Sequence, residues 1–268
     1  MKFEVYEPID DLKPYIESIW KVDHLADTNT IRKIIPEGIS EIIINLGDPY
    51  QLSEDGINYD FLDDNIFYSM RYSIIHLKQG RYSNAIGIRF KPFAFYYLTG
   101  RSLAAWDSNT ISLENAMPNL NHSIYKLKRN NNILIEKLQS LLATMFINNI
   151  ERRNQTIEAV YLEIEQKKGV TSVGHLLKKF KVDYKNLERQ FTKYIGVEPR
   201  LYIRYRRMHY ALDEINRAKN KPDFMSIVVK YSFHDQSHLI REFVDLTGVS
   251  PLSLYEENNT LQKFYQKI

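Results

Sequence analysis

The sequence predicts an α+β protein of two domains, a β-rich barrel or sandwich followed by an all-helical part with two helix-turn-helix units joined by a long helix. Three observations predict it. Residues 1 to about 110 hold short β-branched and aromatic runs broken by Gly47, Gly56, Gly80 and Gly87. From there on the apolar spacing becomes that of helices. Near the C-terminus a capped pair of short helices occurs twice, at an offset of 52 positions. With 268 residues, 44% of them hydrophobic, the chain is long enough to bury a sizeable core.

The N-terminal elements follow from local pattern. A short helix is expected over 10–19, with Pro14 near its start. Strands are expected over 18–22, 31–36, 40–46, 67–72, 74–77 and 84–90. The run ISEIIINL is apolar throughout, so its strand is buried, and Gly47-Asp48-Pro49 turns the chain after it. Many short strands with turns between them leave both barrel and sandwich open.

Residues 92–104 turn helical, and 112–132 read as a short helix and a loop around Pro118 and Asn130-Asn131-Asn132. Asn132 is placed to cap a helix over 133–149 with the stripe Leu134, Leu138, Leu141, Leu142, Met145 and Phe146. That stripe suits packing within the chain or, in a homodimer, against a second copy. Glu151-Arg152-Arg153-Asn154 marks a boundary. The expected division is 1–112 as a regulatory domain, 113–152 as a helical linker and 153–262 as the helical domain.

In the last segment, helices are expected over 156–167 and 173–180, and a long one over 199–218 that ends before Lys221-Pro222. The long helix turns Tyr202, Tyr205, Met208, Leu212 and Ile215 inward and carries Arg204, Arg206 and Arg207 at a basic end. Asp223 and Asp235 cap the last two helices. Sliding by 52 superposes Asp235 on Asp183, Leu239 on Leu187, Arg241 on Arg189, Phe243 on Phe191, Gly248 on Gly196 and Pro251 on Pro199. Cap, core stripe, C-cap glycine, stop proline and one arginine therefore repeat without a gap.

A helical wheel sets Lys185 and Arg189 opposite Leu187, and Ser237 and Arg241 opposite Leu239; Glu188, Gln236 and Ile240 flank those faces. Each copy thus offers an arginine one turn into its helix, where a recognition helix carries base contacts. The planar guanidinium fork matches guanine O6 and N7. A lone arginine here would read as a solvated surface charge; the repetition is what favours the nucleic-acid reading.

Charge distribution agrees. Residues 1–150 carry 15 Lys and Arg against 18 Asp and Glu; residues 171–210 carry 10 against 3. A basic module beside an acidic one fits nucleic-acid binding.

The run YSFHDQSHLIREFVDLTGVSP, with the duplicated unit before it, resembles the C-terminal signature of the AraC/XylS family of bacterial transcription regulators. The resemblance covers about 110 residues, from near Thr156 to near Asn258. It implies two recognition helices, 184–195 and 236–246, entering successive major grooves of double-stranded DNA. It implies DNA-reading roles for Lys185, Glu188, Arg189, Gln236, Ser237 and Arg241, and RNA polymerase as a further partner. Where the family has alanine and then glycine inside each unit, this chain has Leu177 and Lys181, then Val228 and Ser232. A side chain at such a turn costs about 1 kcal/mol where φ is positive. After the terminal proline the family's tyrosine position holds Leu254, with Tyr255 next.

IIPEGISEIIINLG and GIRFKPFAFYYLTG resemble an N-terminal domain of unsettled function that accompanies some AraC-like regulators. In the wider family such domains are often cupin-like and receive a small-molecule effector. Arg89, inside the apolar GIRF, suits a carboxylate or phosphate ligand; a salt bridge to Glu37 or Glu41 is the favoured alternative.

Other classes find little support. With no cysteine there is no disulfide, thiolate metal site or cysteine nucleophile. His234 and His238 mimic a zinc helix, but Asp235 is better used as the cap, which leaves His234 outside it. The acidic pair Asp63-Asp64 lies in a polar stretch, and no phosphate loop or nucleophile elbow occurs. Neither enzyme activity, cofactor nor metal is expected. No apolar run reaches the roughly 20 residues of a membrane helix, so a cytoplasmic protein is expected. The competing reading is a protein-interaction module of this fold that no longer binds DNA.

Overall fold

The computed structural model describes residues 2–25, 31–34, 38–62, 65–69, 74–106, 110–128, 134–218 and 222–256. Ten strands come first, largely before the helices: β1 (Lys2–Tyr6), β2 (Ile16–Leu25), β3 (Ile31–Ile34), β4 (Ser40–Asn45), β5 (Gln51–Ser53), β6 (Asp60–Phe61), β7 (Asn65–Tyr68), β8 (Ile75–Lys78), β9 (Tyr82–Phe90) and β10 (Thr110–Ser112). They form two open antiparallel sheets, ordered β1-β2-β9-β4-β7-β10 and β3-β8-β5-β6. The N-terminal half is thus a sandwich rather than a closed barrel.

The central strands of the six-stranded sheet are buried on both faces, while its edge strand β1 is exposed to half-buried. Trp20, Ile43, Ile66 and Tyr68 pack toward Ile34, Leu52 and Ile75 of the smaller sheet. On the opposite face Ile19, Ile42, Ile44, Phe67, Ile86 and Ile88 meet helices. That two-sided burial is why every residue of β4 is buried and why its sequence lacks polar alternation. The space left between the sheets, lined by Trp20, Tyr50, Tyr68 and Gln79, amounts to about 50 Å³.

The expected helix over 10–19 does not form. Residues 10–15 make turns, with the Leu12 and Lys13 amides donating to the Ile9 carbonyl, and β2 starts at Ile16. Ile16, Ile19 and Val22 are worth more against β9 than in an isolated turn of helix, and a register irregularity between Ile16 and Ser18 accommodates the change. Strand β1 was not anticipated. Parts of the expected strands 31–36 and 67–72, together with Glu37, Asp63, Asp64 and Asn132, lie outside the described residues.

Eleven helices are described: α1 (Ala94–Thr99), α2 (Leu113–Ala116), α3 (Pro118–Lys128), α4 (Leu134–Ile147), α5 (Gln155–Gln166), α6 (Val173–Phe180), α7 (Tyr184–Ile195), α8 (Pro199–Arg217), α9 (Phe224–Lys230), α10 (Gln236–Thr247) and α11 (Pro251–Glu256). Pro118, read as a loop residue, instead opens α3, where the missing N–H has no partner to lose. The α4 stripe is spent inside the chain: Leu138, Leu142 and Phe146 are buried, Phe146 stacks on Tyr15 at 4.1 Å, and Gln139 accepts the Ile9 amide.

One apolar core runs from the larger sheet through α1–α4 into α5, α6, α7 and the start of α8, ending at Tyr202 and Ile203. A second, separate core joins the rest of α8 to α9 and α10, through Tyr205, Met208, Leu212, Ile227, Val228, Leu239, Phe243 and Leu246. Among the described residues, no helix is long and apolar enough to cross a membrane.

Candidate nucleic-acid interface

Local sequence fixes both helix pairs. Ser172 and Asp183 cap α6 and α7 by accepting the His175 and Asn186 amides; Asp223 and Asp235 cap α9 and α10 by accepting the Ser226 and His238 amides. Gly196 and Gly248 end α7 and α10 at φ +97° and +75°. The first-helix caps are 51 residues apart and the second-helix caps 52, so the second unit's turn is one residue longer. Lys181 and Ser232 adopt φ 52° and 53°, the left-handed turn conformation in which glycine would be unstrained.

Leu187, Phe191 and Ile195 of α7 are buried, as are Leu239, Phe243 and Leu246 of α10. The outward residues are in solvent. Lys185 and Arg189 are exposed, with Arg189 Nη2 donating to Asn186 Oδ1 at 3.1 Å; Glu188 accepts the Tyr184 hydroxyl at 3.2 Å. Gln236, Ser237 and Arg241 are exposed on α10. The carboxylate of Asp235 serves the helix N-terminus, and His238 Nδ1 accepts the His234 amide, so the histidine pair is used in capping.

The other arginines are not arranged as expected. Arg206, read as part of a basic end, is buried: its Nη2 donates to Glu165 at 2.7 Å, and the Tyr202 and Tyr210 hydroxyls donate to the same carboxylate. The 19-residue length of α8 makes this unavoidable, because one face must cross from the first core into the second. Arg204 and Arg207 clamp Glu242 of α10 at 3.0 and 3.4 Å. Burial pushes the Glu242 carboxyl up, but the two guanidiniums outweigh it and hold the group below its ordinary value. Between the units lies an open cleft of about 990 Å³, lined by Thr171, Ser172, Arg200, Arg204, Arg207 and His238 among others.

The contact that the sequence did not reveal joins α7 to the N-terminal half. Ser102 Oγ donates to the Thr192 carbonyl at 3.0 Å, Tyr96 and Tyr194 rings meet at 4.5 Å, and Lys193 Nζ lies 5.2 Å from the Tyr96 ring. Next to it, the Asn154 amide donates to Tyr97 Oη, which donates to Glu158, while Arg152 caps the Tyr97 and Leu98 carbonyls at the end of α1. Burial drives the Tyr97 phenol far above its usual range. The run PFAFYYLTG signals an apolar helix, but nothing local says which surface it meets.

Comparison with known families bears on both halves. Residues 176–256 match the model of a helix-turn-helix domain, and residues 4–112 that of a domain of unknown function. Residues 176–256 form an AraC-type helix-turn-helix domain. Within this AraC-type domain, α6–α7 and α9–α10 are the two units and α8 joins them. No curated protein matches the chain. Solved structures of similar outline include ToxT from Vibrio cholerae, at 11% identity over 95% of this chain and 98% of that one, with a TM-score of 0.49. ToxT from Vibrio cholerae O395 bound to (E)-4-(8-methylnaphthalen-1-yl)but-3-enoic acid aligns at 10% identity, over 95% and 98%, with a TM-score of 0.48. The AraC-like transcriptional activator CuxR aligns at 14% identity, over 78% and 86%, with a TM-score of 0.31.

Arg89 is 5% exposed in β9, opposite Glu41 of β4. Its Nε lies 3.6 Å from Glu41 Oε1, which also accepts the Trp20 indole N–H at 2.6 Å. The ion-pair alternative to ligand binding is therefore the arrangement present. Arg89 does not line the space between the sheets.

Proposed function

We propose that the protein is a DNA-binding transcription regulator that reads a specific operator with α7 and α10 in successive major grooves. Supporting this is the AraC-type domain, the class of module used by such regulators. The observation that carries the finer reading is the matched exposure of Arg189 and Arg241, each six residues beyond an aspartate cap and each backed by a buried leucine and phenylalanine. Lys185, Glu188, Gln236 and Ser237 complete the two reading surfaces. Both surfaces belong to one chain, so the reading needs no second copy; a homodimer and RNA polymerase are further partners of this proposal.

Selection of binding sites from random duplex tests it. The expected result is two short blocks about 34 Å, one helical turn, apart centre to centre. Affinity should fall with salt at a log–log slope near −0.9 per phosphate contacted. A protein with no salt-dependent duplex affinity would be the interaction module instead.

Ligand sensing is proposed on narrower ground. A space of about 50 Å³ holds a water or two, far short of the 300 Å³ or more of an ordinary ligand pocket. An effector taken up there, or at Arg89, has to part the sheets or displace Glu41. A thermal-shift screen tests this, with a shift from an anionic compound that Arg89→Gln abolishes as the expected result.

A further inference from the structure

Every face of α10 but one has an evident task. Leu239, Phe243 and Leu246 fill the second core. Glu242 and Asp245 face α8, held by Arg204, and His238 turns the same way, 3.6 Å from Glu242. Arg241 and Ser237 stand outward. Between the outward arginine and the core stripe, on the side away from α8, lie Ile240 and Val244, one turn apart. They are 38% and 43% exposed, large for branched aliphatic side chains. At the matching places α7 has Glu188 and Thr192, so the two copies share the arginine but differ beside it, polar in α7 and apolar in α10.

On the reading of α10 as a recognition helix, this ridge enters the major groove next to the base taken by Arg241. The groove floor carries one apolar group, the 5-methyl of thymine, and aliphatic side chains are what recognise it. A duplex also suits the residues beside the ridge, because Arg241 and Ser237 stand exposed there as a cationic and a hydrogen-bonding side chain. We propose that the second unit reads thymine through Ile240 and Val244 beside the guanine read by Arg241, so that the two halves of the operator differ in base content.

The test leaves the protein intact and edits the DNA. On an operator obtained by selection, each thymine of the α10 half is replaced by deoxyuridine, which removes only the methyl, and affinity is measured by fluorescence anisotropy. At one or two positions the wild-type protein should lose roughly threefold to tenfold. Ile240→Ala should bind the thymine and uracil duplexes equally, with Val244→Thr partly so, and unchanged melting temperatures should show both variants folded. Equal binding of every uracil duplex by the wild type, with sequence preference otherwise retained, overturns this inference and leaves the DNA reading standing. Failure to select any operator overturns the DNA reading itself. Ile240→Ala with full affinity and thymine preference but lost transcriptional output makes the ridge a protein contact and also overturns the inference.

Discussion

Gly196 is the seat of Leu103. A Cβ added at residue 196 would stand 2.7 Å from the Leu103 Cβ, and the backbone there has φ +97°. One glycine thus ends α7 and admits the short 3-10 turn 103–105 of the N-terminal half. Gly248, its counterpart at φ +75°, has nothing within 4 Å of an added Cβ.

The pair makes a controlled experiment. Gly248→Ala should cost only the left-handed strain, about 1–2 kcal/mol. Gly196→Ala adds the collision with Leu103 and should cost about 2–4 kcal/mol. Urea denaturation of the two variants measures the difference, and Leu103→Gly, which removes the colliding Cβ, should cost less in the Gly196→Ala background than alone.

Lys181 and Ser232 offer the reverse case. Both hold φ near 52° without being glycine. Relief of that strain is set against the greater freedom of an unfolded glycine. Lys181→Gly and Ser232→Gly should each stabilise by up to about 1 kcal/mol, read as a rise in the urea midpoint at constant slope.

Arg189→Ala and Arg241→Ala should each weaken operator binding by about 1–3 kcal/mol while leaving the melting temperature in place. Neither guanidinium is buried, so loss of affinity with loss of fold would point to a structural role instead. Gel-shift titration alongside calorimetry separates the two.

The Glu242 clamp should respond to acid. Its carboxyl titrates below the ordinary 4.5 in the folded state. Its contribution is therefore complete above about 4.5 and is lost as pH falls through the depressed value. The Glu242→Gln variant should be less stable than the wild type near pH 7, and the gap should narrow toward pH 3. Denaturation midpoints across that range check the sign.

The two cores should open separately. Because α9 and α10 pack only into the second core with α8, their amides should exchange by an opening that leaves α5–α7 protected. The amides of α7 should instead exchange together with those of β4 and β9. Native-state hydrogen exchange with fragment mass analysis distinguishes this from a single opening of all the helices.

What the sequence revealed was local. Capping aspartates, stop glycines and the leucine–phenylalanine stripe act within one turn of helix, so both units and the exposed residues of α7 and α10 were legible at residue level. The buried nature of β4 was equally plain from its unbroken apolar run. Arg206 shows where reading fails: it is a charge whose partner, Glu165, is distant in sequence, and only the fold decides between water and a carboxylate. For Arg89 the favoured salt bridge, to Glu37 or Glu41, is present as the pair with Glu41. The helix expected over 10–19 failed for a related reason, since the gain from pairing with β9 is invisible in the segment itself. The seating of α1 on α7 required knowing which two surfaces meet.

The continuous first core limits how this protein can be cut and recombined. A grafted regulator joined at the Glu151–Asn154 seam would inherit half of several matched pairs: Leu103 without Gly196, Tyr97 without Asn154, Ser102 without Thr192. Exchange of N-terminal halves therefore demands transplanting those partners together, whereas the C-terminal part of α8 with α9 and α10, which share an interior of their own, is the piece that tolerates replacement as a unit.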